Sequence, residues 1–168
     1  SKGKLIMTAA LELSTNQVTH FYSEKKDTEE MIKLLDILLS EYTHYDRIFL
    51  SWDAASWHIS KKLFEKIESN NVMANITGST RVEVAPLPAG AQFLNVIEAI
   101  FSGMSRAIIH NSNYQSIKEA KAAIDRYFEE RNQYFLDNPK KAGKKIWGQE
   151  PSSTQFNESQ NCKDPRYR

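Results

Sequence analysis

Residues 47–69 read RIFLSWDAASWHISKKLFEKIES. Arg47 to Trp52 is a short run whose apolar members are consecutive rather than alternating, the pattern of a strand buried on both faces. Ile59 to Ser69 has helical spacing, with Leu63, Phe64 and Ile67 expected inward and Lys61, Lys62 and Lys66 outward. Asp53 stands between them, where the strand should end. It is either the cap of a strand-to-helix turn or a ligand at the carboxyl end of a strand, where α/β sheets collect their ligands. His58, beside Trp57, reads either as a packed, hydrogen-bonded ring or as a group orienting a carboxylate or phosphate.

Upstream, Lys4 to Leu13 reads as a strand, Ser14-Thr15-Asn16-Gln17 as a turn, and Val18 to Tyr22 as a second strand, together a hairpin. Asp27 or Thr28 caps a helix carrying Met31, Leu34, Leu35, Leu38 and Leu39 at helical spacing. Downstream, Arg81 to Val84 is another strand, stopped by Pro86 and Pro88. Phe93 to Ile109 forms a helix with Leu94, Ile97, Phe101, Met104 and Ile108 on one stripe. Ser116 to Phe135 forms a second, with Ile117, Ala120, Ala123 or Ile124, Tyr127 and Phe128 in register. Strands alternating with helices after a hairpin predict an α/β protein with a mixed sheet. Residues 1–138 are expected to form the core and residues 139–168 a largely irregular tail.

The chain has 168 residues, 40% hydrophobic and 26% charged, ordinary values for one globular domain. No apolar run reaches the roughly 20 residues that span a bilayer, so no membrane partner is expected. The start lacks the apolar core of a signal peptide, and the single cysteine, Cys162, excludes a disulfide framework within one chain. A reducing, cytoplasmic setting is the expectation. Charge is uneven: from Pro139 onward seven Lys/Arg face three acids, net +4, whereas the first 138 residues carry 15 bases and 18 acids, net −3. A basic tail headed by Lys140, Lys141, Lys144 and Lys145 points to a polyanion such as the DNA backbone, or serves only solubility.

On the Phe93 helix, Asn95, Glu98 and Ser102 lie three and four apart and share the face beside the apolar stripe. Two carboxylates, one from a strand end and one from an apposed helix, suit a hard divalent cation such as Mg²⁺; an exposed helical Glu is the plainer alternative. Taken together, Arg47 to Trp52, Asp53-Ala54-Ala55-Ser56-Trp57-His58, Leu87-Pro88 and Leu94-Asn95-Val96-Ile97-Glu98 resemble the mariner-type DDE transposases of bacterial insertion sequences. The family pattern is roughly D-N-A-x-x-H followed by L-P-P-x-[SA]-P-x-L-N-P-I-E, and the resemblance covers about Leu5 to Phe135. Ala54 stands for the usual Asn, and Ala89, Gln92 and Val96 for common prolines.

The resemblance implies a ribonuclease H-like fold: a mixed sheet with flanking helices, followed here by a carboxyl-terminal helix and the basic tail. It implies that Asp53 and Glu98 are the second and third catalytic, metal-binding carboxylates. His58 and Asn95 become auxiliary residues, and two Mg²⁺ (or Mn²⁺) ions serve the complete enzyme; the charge of the tail, rather than the resemblance, makes Lys140, Lys141, Lys144 and Lys145 the expected DNA contacts. The resemblance also implies double-stranded DNA as partner (transposon ends and target), a homodimer as one assembly, and a bacterial, nucleoid-associated location. The family's first Asp belongs on a strand before the hairpin, and no Asp precedes Asp27. The expectation is therefore the carboxyl-terminal portion of a transposase core lacking its first strand. The alternative is a non-catalytic remnant acting as a DNA- or protein-binding module.

Overall fold

The computed structural model describes residues 4–52, 60–85 and 95–143. Strands β1 (Ile6–Leu11) and β2 (Val18–Ser23) form the expected antiparallel hairpin, with Ile6 opposite Ser23 and Leu11 opposite Val18. The turn depends on Asn16, whose φ of 63° lies in the left-handed region that Asn tolerates better than most residues. Asn16 is buried, and Arg131 satisfies it twice, donating to its backbone O (2.7 Å) and its Oδ1 (2.5 Å).

Helix α1 (Thr28–Glu41) starts on Asp27, whose carboxylate accepts from the Glu30 N–H at 3.2 Å. Met31, Leu34, Leu35 and Leu38 form its buried stripe, as their spacing predicts. Then come β3 (Arg47–Leu50), α2 (Lys61–Thr77) and β4 (Arg81–Val84). β3 and β4 pair parallel, Arg47 opposite Arg81 and Leu50 opposite Val84, the arrangement that requires a crossover such as α2. Helix α3 (Val96–Met104) continues into a π-helical turn over Ser105–Ile109. Helix α4 (Ile117–Asp137) is capped by Ser116, which accepts from the Glu119 N–H, while the Glu119 carboxylate accepts from the Gln115 N–H at 2.8 Å.

The element order and the α/β class agree with the sequence reading, and the architecture is consistent with a ribonuclease H-like α/β fold. Among the described residues the strands make two two-stranded sheets, one antiparallel and one parallel. One core joins them. Met31, Leu34, Leu35 and Leu38 of α1 and Leu63 and Ile67 of α2 pack with Ala10 and Phe21 of the hairpin and with Ile48, Leu50, Val82 and Val84 of the parallel pair. A second core lies on the other face of the hairpin, where Val18 meets Met104, Ile124 and Phe128, flanked by Met7, Ala9 and Leu11. The hairpin is thus covered on both faces, because alternate residues of each strand point to opposite sides.

Some expectations are corrected. Among the described residues β3 is covered on one face only: Phe49 is 70% exposed, with the Arg47 guanidinium 6.0 Å from its ring and Arg47 3.6 Å from Glu83. The consecutive apolar run therefore does not mark two-sided burial. Phe64 is 39% exposed, because the buried line of α2 runs through Leu63, Ile67 and Ala74, and Phe64 lies to its side. α2 also runs past Ser69 to Thr77, ending on Gly78 at φ 72°, a left-handed cap suited to glycine. Ile117 is exposed at the start of α4, before that helix reaches its core. Phe93 and Leu94 lie outside the described residues, so the stripe of α3 is seen from Ile97 onward.

Candidate active site

Glu98 lies in the first turn of α3. Asn95 is the N-cap residue; its backbone O accepts from the Glu98 N–H at 3.2 Å, and its side chain makes no capping bond. Ile100, Phe101 and Met104 press α3 against Met7, Ala9 and Leu11 of β1. That packing fixes the roll of the helix and leaves Glu98 and Ser102 exposed, with Asn95 half-buried. The polar face read from the sequence is therefore an open face, with a carboxylate where the helix dipole stabilises negative charge.

Asp53 and His58 lie outside the described residues. The residue just before Asp53 is firmly placed: Trp52 is buried in the core shared by α1 and α2. The ladder also runs on past β4, with the Ala85 N–H donating to Leu50 O at 2.8 Å. Lys140 and Lys141 are exposed just beyond α4. Their segment turns back to the hairpin, where buried Ala142 donates its N–H to Leu13 O at 2.8 Å. Lys144 and Lys145 lie outside the described residues. The structure thus puts Asn95 and Glu98 together on α3 and puts Lys140 and Lys141 on a separate element.

Among the described residues no group of three or more His, Cys, Asp or Glu side chains is placed to hold a metal ion. Glu98 offers one hard oxygen donor of the kind Mg²⁺ prefers, and a site would need further ligands beside it.

A different cluster of titratable groups escaped the sequence reading. Asp125 of α4 meets His20 Nε2 at 2.8 Å and the Tyr22 hydroxyl at 2.6 Å, while Lys121 lies 4.7 Å over the Tyr22 ring. Burial opposes ionisation of Asp125, but the bonds to Tyr22 and His20 outweigh it and hold its pKa below the usual carboxylate value. Burial, then the bond to Asp125, pushes the Tyr22 hydroxyl well above its usual pKa. Glu12 shows the same balance: burial opposes its charge, while bonds from Ser14, Thr15 and Tyr42 more than compensate and lower its pKa. Both groups fasten the hairpin to helices. No local signature marks them, since His20 and Asp125 are 105 residues apart.

No helix among the described residues is long and apolar enough to cross a membrane. Comparison with curated proteins and with solved structures returned no match. The family described as DDE superfamily endonuclease has a model that matches residues 1–121, from before the hairpin through the first turn of α4. That span takes in β3 with Asp53 after it and α3 with Glu98. With this match over most of its 168 residues, the chain belongs to the DDE superfamily endonuclease family.

Proposed function

We propose that this chain is the carboxyl-terminal portion of a mariner-type transposase catalytic core, acting on DNA by metal-dependent strand cleavage and transfer. The observation that carries the reading is Glu98. It is an exposed carboxylate on the first turn of the helix that follows β4, held there by an apolar stripe packed on the hairpin. Enzymes of the DDE superfamily generally use divalent metal ions and act on DNA. In this proposal Asp53 and Glu98 hold the metal through carboxylate oxygens, and His58 and Asn95 orient groups beside it. A bound divalent ion supplies activation of the attacking oxygen and stabilisation of the leaving oxygen. The chain's own part is to fix the two carboxylates on rigid elements. Trp52 anchors the strand end before Asp53, and Phe101 and Met104 anchor α3. The exposed Lys140 and Lys141, with Lys144 and Lys145 after them, contact phosphates and position the duplex without reading its bases.

A further carboxylate comes from a strand seated on the free edges of β1 and β3. Support for that place comes from the core under α1, to which both two-stranded sheets contribute side chains. The test is nicking of supercoiled plasmid in Mn²⁺ by a protein extended upstream with an Asp-bearing strand. Nicking is expected, and Glu98→Gln or Asp53→Asn abolishes it while the melting temperature holds or rises, since clustered carboxylates repel without a metal. Nicking that survives both substitutions contradicts the roles given to Asp53 and Glu98, and a folded extended protein that does not nick leaves the binding-module alternative.

A further inference from the structure

Two asparagines bond to strand edges as a neighbouring strand would. Along β4, the N–H groups of Arg81 and Ala85 point toward β3, donating to Asp46 O (3.0 Å) and Leu50 O (2.8 Å). Alternate residues of a strand turn their backbone groups to opposite edges, so Val82 presents its N–H and C=O outward. Asn71 of α2 meets both: its Oδ1 accepts from the Val82 N–H at 2.8 Å, and its Nδ2 donates to Val82 O at 2.8 Å. Asn70 extends the seal, its Nδ2 donating to Thr80 O at 3.1 Å.

The same device recurs on β2. The Glu12 N–H donates to Gln17 O at 2.9 Å within the hairpin, so the next residue, Val18, faces outward. Asn132 of α4 accepts from the Val18 N–H at 2.9 Å and donates to Val18 O at 2.8 Å. In each case a side-chain amide offers one acceptor and one donor side by side, as a backbone partner does. The two asparagines come from different helices and act on one edge of each two-stranded sheet. Among the described residues no side-chain amide is paired with β1 or β3.

A strand edge with free N–H and C=O groups is a template for pairing with another chain. We propose that Asn71 and Asn132 are edge guards. They close β4 and β2 to strand addition and leave β1 and β3 as the only strand-accepting edges among those described. The role of the open edges rests on the strand-seating proposal above; the guarding does not, and its test reads no nuclease activity.

The experiment uses the whole 168-residue chain. Light scattering over a concentration series compares the parent with Asn71→Leu, Asn132→Leu and Asn71→Asp. Both leucine variants are expected to gain mass with concentration relative to the parent, because Val82 or Val18 becomes available to another copy. Asn71→Asp keeps the acceptor and adds a charge that discourages edge pairing, so it should keep the parent's mass. In the parent, hydrogen exchange at the Val18 and Val82 amides should be slower than at a loop amide such as that of Asn113, by about tenfold or more. Leucine variants that fold yet keep the parent's mass overturn the proposal. If they fail to fold, the parent's exchange decides: protected Val18 and Val82 amides uphold it, and loop-like exchange at either overturns it.

Discussion

Replacing Phe128 with alanine tests how α4 and α3 are held on the hairpin. Phe128 is 1% exposed, packed among Val18, Met104 and Ile124, with its ring 4.9 Å from that of His20 and 5.4 Å from that of Tyr127. Truncating a fully buried Phe removes its transfer free energy and leaves a cavity, together about 3–5 kcal/mol. The upper half of that range is expected, because ring contacts add about 0.5–1.5 kcal/mol per pair beyond area. For a chain of this size, about 4 kcal/mol lowers the melting temperature by about 8–16 °C. Calorimetry and urea denaturation read the loss, with the midpoint moving and the slope unchanged. Met104 belongs to the same cluster, so hydrogen exchange in α3, including the turn that carries Glu98, should speed up as well. A two-state melt shifted by less than about 3 °C would refute the packing argument.

Leu63→Ala should cost about 2–5 kcal/mol, and Phe64→Ala, its neighbour on the exposed side of α2, under about 1 kcal/mol; equal losses in urea would mean that α2 is rolled differently. Gly103→Ala in α3 should stabilise by about 0.5–1 kcal/mol, because the added methyl meets the Tyr127 hydroxyl at an ordinary 3.5 Å; a lower melting temperature would mean that the contact is tighter. Asp125 and Glu12 both ionise below their usual range in the folded chain. Their contribution is therefore present above the unfolded carboxylate pKa values and lost as pH falls through the folded ones. The share of stability from these two carboxylates should be flat above about pH 5 and fall below about pH 4. Asp125 is half exposed, so screening keeps its share small. Asp125→Asn should make the acid fall shallower, and an unchanged acid limb would assign it to other groups.

Elements with their own punctuation were legible in the sequence. α1 announces itself through the Asp27 cap and a four-residue stripe, and the hairpin through Asn16 between two strands. What depends on distant partners was not legible. Phe49 sits in a run as apolar as any buried strand, yet its exposure depends on what packs over its own face of β3, and no described element does. α2 runs on past Ser69 to Thr77 through Asn70, Asn71 and Asn75, weak helix formers that hide its length in the sequence. Asn71 is used instead to pair with Val82, a contact that no helical pattern foretells. The helical spacing around Glu98 placed its carboxylate on the open side of α3, as the structure does. The proposed partnership of Glu98 with Asp53 comes from the resemblance rather than from periodicity. His20, Tyr22 and Asp125 meet only through the tertiary fold.

The most direct measurement is Mn²⁺-induced broadening of backbone amide signals, followed at trace metal in the parent and in Glu98→Gln. If Asp53 and Glu98 share a metal, the signals around residues 51–54 and 95–98 should broaden together at the lowest Mn²⁺ levels, and the substitution should remove both effects at once. Broadening that starts instead at other exposed carboxylates, such as Asp125, or that persists around Asp53 in Glu98→Gln, would contradict the shared site.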